Sequence, residues 1–441
     1  HLQDNSTYKR PLQAITDKNG QIWTADRWFG YVKFKAGEKS EPIAPNGPYR
    51  NAAFNIEAGK GEIWVGGGGT NPSTYNCLNT PNGFYKYKDG WWTNFTNNSE
   101  SVLQGTSDFI CTALHPTKNL VYIGSCGEGL LQYDYNELIQ YKAESPIEGG
   151  VGDPNTYRIT GIAFDVNNNL WMSNFGSPRP IKVLKDNGDW KVFTETPFFG
   201  GNPPNRFTKM IVDDYDQKWI IVHKEKILVL NHGNDIEDES DDQYKELTTG
   251  AGRGSLPTNT VNCLAKDKDG AIWVGTSEGV GVFYCPYNIF NGGCDAIKPY
   301  VEVDGYGAYL LETEVISDIA VDGANRKWIG TSNGVWLMSP DGTEPIAYFT
   351  TENSPLLSNN VLSIGIEDAS GEVFIGTELG IVSYKGSATS GSFLHDEAFV
   401  YPNPVRPEYK GDIAIKGLAE NAYVKITDVQ GTLMYLSLIH I

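Results

Sequence analysis

The stretch Asp267–Tyr284, DKDGAIWVGTSEGVGVFY, decides the architecture, because shorter or looser versions of it recur along the chain. The first is DKNGQIWTADRWFGYVKF from Asp17, followed by GKGEIWVGGGG from Gly59, NLVYIGSCGEGLLQY from Asn119, NNNLWMSNFG from Asn167 and DQKWIIVHKEKILVL from Asp216. After the copy at Asp267 come ANRKWIGTSNGVWLM from Ala324 and ASGEVFIGTELGIVSY from Ala369. Each copy carries one aromatic anchor: Trp23, Trp64, Tyr122, Trp171, Trp219, Trp273, Trp328 and Phe374, spaced 41 to 58 residues apart. A unit of that length is one four-stranded propeller blade.

Each copy parses as a blade. A β-rich run such as TVNCLAKD from Thr260 is the innermost strand A, and the Asp/Asn/Gly cluster after it reverses the chain. AIWVGT is strand B, whose Trp is large enough to pack between blades. GVGVFY, rich in residues that fit a pleated surface, is strand C. Strand D is the variable, polar outer strand. Hardly any stretch has the period of an amphipathic helix, so the class is all-β. Eight copies predict seven blades in a main ring, with the first or last copy joining a second ring, or else one eight-bladed ring. The copy at Ala369 shows no strand D before the chain leaves the repeats.

Composition limits the function. Of 441 residues 40% are hydrophobic and 20% charged, which excludes a disordered chain. A net charge of -19 argues against nucleic acid or an anionic membrane surface as a general partner. No apolar run approaches the roughly 20 residues that span a bilayer. The chain opens on His1-Leu2-Gln3 within a strand's length of the first repeat. It is therefore expected to lack its own start, and the missing leader leaves export open.

The repeats resemble the two-component regulator propeller repeat, close to D-x-x-G-x-ϕ-W-ϕ-G-T-x-x-G-ϕ, where ϕ is apolar. The resemblance covers residues 1–384. It is strongest at Asp267, Ala324 and Ala369 and loosest at WIIVHKEKI, which lacks the Gly-Thr. It implies a fold more firmly than a function, since this scaffold carries sensors, binding modules and enzymes.

Beyond the repeats lies a Gly/Ser-rich linker, residues 385–396, and then FVYPNPVRPEYKGDIAIKGLAENAYVKITDVQGTLMY, residues 399–435 of a segment placed at 397–435. Its alternating strands and the turn at Asp428–Gly431 predict the start of an antiparallel β-sandwich. The segment resembles the C-terminal sandwich domain of type IX secretion proteins of the Bacteroidota. LSLIHI at 436–441 looks like a translated sequencing adaptor and is expected to be an artefact, with the natural chain continuing elsewhere.

Together the two resemblances imply a non-catalytic, exported propeller at the cell surface. It would bind anionic lipopolysaccharide and assist a type IX attachment complex, with the sortase and outer-membrane subunits as partners. The alternatives are a periplasmic glycan-sensing propeller of a hybrid two-component system, and a carbohydrate-active lyase or hydrolase.

The residues themselves show little chemistry. No nucleophile elbow, phosphate loop or zinc-spaced Cys or His pair occurs, so no catalytic residue, metal or cofactor is expected. The Asp pairs at Asp267 and Asp269, and at Asp213, Asp214 and Asp216, read as turn residues before calcium ligands. Cys285 and Cys294 bracket a short loop, and Cys111 and Cys126 flank the hairpin at Lys118; each pair is expected either as a disulfide or as buried thiols. The B-to-C and D-to-A loops build the upper rim, where Trp28, Phe29, Tyr75, Phe175, Arg179 and His223 are the candidate ligand residues. Aromatic faces beside an Arg suit a sugar chain with anionic groups.

Overall fold

In the computed structural model the described residues are 10–27, 30–34, 40–43, 46–194, 206–303, 306–386 and 388–389, with 399–404, 406, 408–409, 413–416, 418 and 422–439 in the last segment. Residues 1–48 form one compact unit and residues 49–441 another. The first contains repeat 1, a four-stranded antiparallel sheet of Pro11–Thr16, Ile22–Asp26, Gly30–Phe34 and Glu41–Ile43.

Repeats 2 to 8 belong to the second unit. Strand A is Asn55–Gly59 in repeat 2, Phe109–Leu114 in repeat 3, Ile159–Phe164 in repeat 4 and Phe207–Val212 in repeat 5. It is Val261–Lys266 in repeat 6, Ile316–Val321 in repeat 7 and Val361–Glu367 in repeat 8. Strands follow one another across each sheet, antiparallel, as the repeated phrase requires. Repeat 6 replaces a regular strand D with a bridge between Val282 and Ile297, followed by the hairpin Tyr300–Val303 and Tyr306–Tyr309. Among the described residues repeat 8 has three strands, A to C.

Seven core clusters correspond to seven blade interfaces. The strand-B aromatic of each repeat packs against the next repeat: Trp64 on Phe109 and Ile123, Tyr122 on Ile162 and Leu170, Trp171 on Phe207 and Ile220. Trp219, Trp273 and Trp328 continue the series. Phe374 of repeat 8 packs on Ile56, Ile63 and Tyr85 of repeat 2, where Ser363 Oγ also donates to Ala53 O at 3.0 Å. Strand A of repeat 8 thus lies against strand A of repeat 2, closing a ring of seven blades.

The motif residues earn their places by contacts. Asp267 Oδ1 accepts from the amides of Asp269 (3.0 Å) and Ala271 (2.8 Å), while Oδ2 accepts from Trp273 Nε1 at 2.8 Å. Asp165, Asp213 and Asp322 hold Trp171, Trp219 and Trp328 in the same way, so the carboxylate orients the indole as well as the turn. Fully buried Lys327 reaches back from repeat 7 to Asp267 Oδ2 (3.1 Å) and over the Trp273 ring (4.7 Å). Such a buried charge is tolerated only because it is paired. The Gly of W-V-G-T is required by the next blade: a Cβ on Gly275 would lie 2.6 Å from Ile316 Cγ2.

The last segment pairs Phe399–Tyr401 with Ala414–Lys416, and Ala422–Thr427 with Leu433–Ile439. Its turn is closed by Asp428, whose carboxylate accepts from Gln430 N and Thr432 N.

Candidate functional site

Loops B-to-C and D-to-A emerge on one face of the ring, and one of the two longest joins Glu62–Gly66 to Phe84–Lys88 in repeat 2. Its glycine run is forced, since a Cβ on Gly68 would fall 2.3 Å from Asp108 Cα. Asp108 then anchors the returning arm, its carboxylate accepting from Asn79 N (2.5 Å) and Thr80 N (3.0 Å). Between these points Asn71 Oδ1 caps the amides of Ser73 and Thr74, and the chain turns through Tyr75 at φ 60°.

This loop is a lid. A disulfide ties its Cys77 to Cys126 on the B-to-C bend of repeat 3. Tyr75 stacks on Phe175 of repeat 4 (5.4 Å, 23° between planes) and sits 5.1 Å from the ring of His223 of repeat 5. Burial drives the Tyr75 phenol well above its ordinary range. His223 Nε2 lies 3.4 Å from Ser73 O, and burial holds its imidazole below its usual pKa, so it is neutral at pH 7.

Beside the lid is a cavity of ≈ 360 Å³ lined by Ser73, Thr74, Asn76, Asp153, Arg158, Phe175 and Arg206, within the size range of small-ligand sites. The Arg158 guanidinium lies 5.7 Å from the Phe175 ring centroid and 3.1 Å from Asp153 Oδ2. Its buried Nε has no hydrogen-bond partner among the described residues.

Below the lid the innermost strands enclose a polar centre. Lys209 of repeat 5 approaches Asp318 of repeat 7 across it (4.0 Å), and Asp318 Oδ2 accepts from Ile364 N at 2.9 Å. Burial, reinforced by the charges of Asp318 and Asp368, pushes Glu57 up to about 8. Burial likewise pushes the Cys111 and Cys263 thiols up to about 12, leaving them protonated and poorly nucleophilic.

The expected rim residues are distributed unevenly. Tyr75 of the lid meets Phe175 and His223, whereas Trp28 and Phe29 lie outside the described residues. Arg179 is taken up by Glu148, to which its Nε donates at 2.9 Å; Ser177 and Lys182 bind the same carboxylate. Burial opposes these bonds, but they prevail and hold Glu148 down to about 2. The basic groups on the cavity are instead Arg158 and Arg206, which sequence reasoning missed although both immediately precede a strand A, where D-to-A loops reach the rim.

Cys285 and Cys294 are joined by a disulfide, one of the two states left open for them. The Cys111–Cys126 pairing is corrected, because Cys126 bonds to Cys77 and Cys111 is a buried free thiol. Cys111 stands opposite Gly124 in the A–B register, and Cys126 lies two residues further on, past a register shift. The Cys111 thiol points to the next blade, 3.6 Å from Ile159 O, while Cys126 turns up to the lid.

Comparisons with known proteins agree with this architecture. The two-component regulator propeller family matches residues 255–278, within repeat 6. No curated protein matches the chain in sequence. Among solved structures the chain is similar to PorZ, an essential bacterial surface component of the type IX secretion system of Porphyromonas gingivalis, at 27% identity and a TM-score of 0.74. That match covers 98% of this chain and 60% of PorZ, so the chain spans well under two thirds of that protein's length.

The extracellular domain of a hybrid two-component system from Bacteroides thetaiotaomicron aligns at 15% identity, with a TM-score of 0.52 over 90% of this chain and 56% of that one. A catalytically inactive virginiamycin B lyase from Staphylococcus aureus aligns at 12% identity, with a TM-score of 0.52 over 77% and 96%. These two likenesses bear on the fold alone.

Proposed function

We propose that this chain is an exported, non-catalytic recognition propeller of a type IX attachment complex. It works at the cell surface, takes anionic lipopolysaccharide on its upper face and delivers it to secreted cargo together with the complex's sortase and outer-membrane subunits. The secretion context is supported by the likeness to PorZ along nearly the whole chain. The ligand class is supported by one observation on the upper face: a lidded cavity where Arg158, with a free Nε, and Arg206 stand beside the Phe175 face.

Guanidinium groups and an aromatic wall match a sugar ring that carries carboxylate or phosphate. On a chain of net charge -19 such a pocket attracts anions locally while the surface at large repels polyanions. In this proposal residues 385–396 are a linker and 397–435 the beginning of a type IX sandwich domain.

The context is tested by crosslinking on intact cells. The proposal expects the protein at the surface, bound to sortase and outer-membrane subunits, with cargo left unmodified when it is lost. Recovery with a histidine kinase in the periplasm would support the sensor reading and overturn this one. New reducing or unsaturated ends after incubation with polysaccharide would show an enzyme.

A further inference from the structure

Repeat 3 departs from the repeated phrase at two positions that meet in space. Tyr122 stands where the other strand-B anchors are Trp or Phe, and His115 stands where repeats 4 to 7 have the turn Asp. His115 Nδ1 accepts from the amides of Thr117 (3.2 Å) and Lys118 (3.1 Å), which fixes its proton on Nε2. That N–H donates to Asp186 of repeat 4 at 2.9 Å. The smaller anchor leaves the interface between repeats 3 and 4 unfilled, and a cavity of ≈ 320 Å³ opens there toward the A-to-B and C-to-D loops, opposite the lid.

Two features mark this cavity as more than a packing defect. Tyr122, only 6% exposed, places its phenol on the cavity wall. The outer wall presents the aromatic rings of Trp190 and Tyr141, set edge to face at 5.8 Å. Gln132 accepts from Tyr141 Oη at 3.1 Å and keeps its amide N–H groups for the cavity. The charges present are already paired, Asp186 with Lys118 (2.5 Å) and Lys185 with Glu237 (2.9 Å).

We propose that this cleft is a second ligand site, independent of the upper face, that takes one neutral pyranose ring. The apolar face of the sugar lies on Trp190 and Tyr141, and its hydroxyls bond to Tyr122, Gln132 and Asp186. A charged ligand would find no unpaired counter-charge, and a purely aryl ligand would leave the polar groups of Tyr122, Gln132 and Asp186 unused.

The test uses the full chain with methyl glycosides of galactose, glucose, mannose and N-acetylglucosamine, and indole as the aryl control, read by saturation-transfer NMR. At least one glycoside is expected to bind. Tyr122→Trp, which restores the repeat residue and fills the cleft, should abolish that binding. Trp190→Ala, on the outer strand, should weaken it about tenfold and serves as the second variant if Tyr122→Trp destabilises the blade. Arg158→Gln on the upper face should leave it unchanged. The proposal is overturned if no glycoside binds, if indole alone binds, or if both cleft variants bind as the parent does.

Discussion

The ring of Tyr75, carried by repeat 2, stacks 5.4 Å from the ring of Phe175, carried by repeat 4, and so passes over the repeat between them. The same loop is bonded covalently to that intervening repeat through Cys77–Cys126. One segment therefore ties repeats 2, 3 and 4 together and also reaches His223 of repeat 5, on the face that holds Arg158 and Arg206, and its Ser73, Thr74 and Asn76 form a wall of the cavity.

Tyr75→Ala should loosen the lid without unfolding the ring. Losing the ring contacts with Phe175 and His223 costs about 0.5–1.5 kcal/mol per pair. Hydrogen exchange should speed up at residues 70–80 while the melting temperature moves little. A cooperative loss of the whole ring would show that the loop is part of the core.

The thiols should report their places. Under native, non-reducing conditions iodoacetamide should label no cysteine, because Cys111 and Cys263 are buried with thiols pushed up to about 12 and the other four are in disulfides. Unfolding without reductant should expose two labelled sites, Cys111 and Cys263. Label on Cys77 or Cys126 would contradict the lid tether. Cys77→Ser should cost up to about 2–4 kcal/mol, most of it local.

Glu57 should make stability depend on pH. Its folded pKa, about 8, lies above the ordinary 4.5, so the folded state binds this proton more tightly than the unfolded chain. Its contribution is fully present below pH 4.5 and is lost as pH rises through 8. Glu57→Gln keeps a neutral side chain at every pH. Its stability relative to the parent should therefore grow between pH 5 and pH 9, by an amount on the order of a few kcal/mol. Parallel denaturation curves with no pH-dependent difference would contradict the enclosure of this carboxylate.

Asp267→Ala should be among the most damaging single changes. It strips the Trp273 indole and the buried Lys327 ammonium of their acceptor at once, a loss of about 3–5 kcal/mol. Asp17→Ala in repeat 1 removes the Trp23 contact at a turn open to solvent and should cost much less. Guanidinium denaturation of the two variants should separate these values.

The fold was legible because each blade repeats its own instructions: Asp for the turn and the indole, Trp for the interface, Gly where the next blade presses close. The lid's destination was not legible, because residues 67–83 take their path from Asp108, Cys126 and Phe175, which come from other blades. Arg179 and Arg158 look equivalent in sequence. Only the fold shows that Glu148, 31 residues upstream, captures the first and leaves Nε of the second free. Cys111 and Cys126 flank one hairpin evenly, but side-chain direction, and not spacing, decides which sulfur meets Cys77. Tyr122 was visible as the one Tyr among the eight anchors, and its meaning emerged once the other anchors were seen to fill their interfaces.

Ligand recognition by the upper face is read out by titrating the purified chain with anionic lipopolysaccharide, against the same polymer stripped of its charged groups. Binding should be saturable, weaken with salt, vanish for the neutral polymer and fall at least about tenfold in Arg158→Gln/Arg206→Gln. Equal binding of both polymers, or a double variant that binds like the parent, would contradict it.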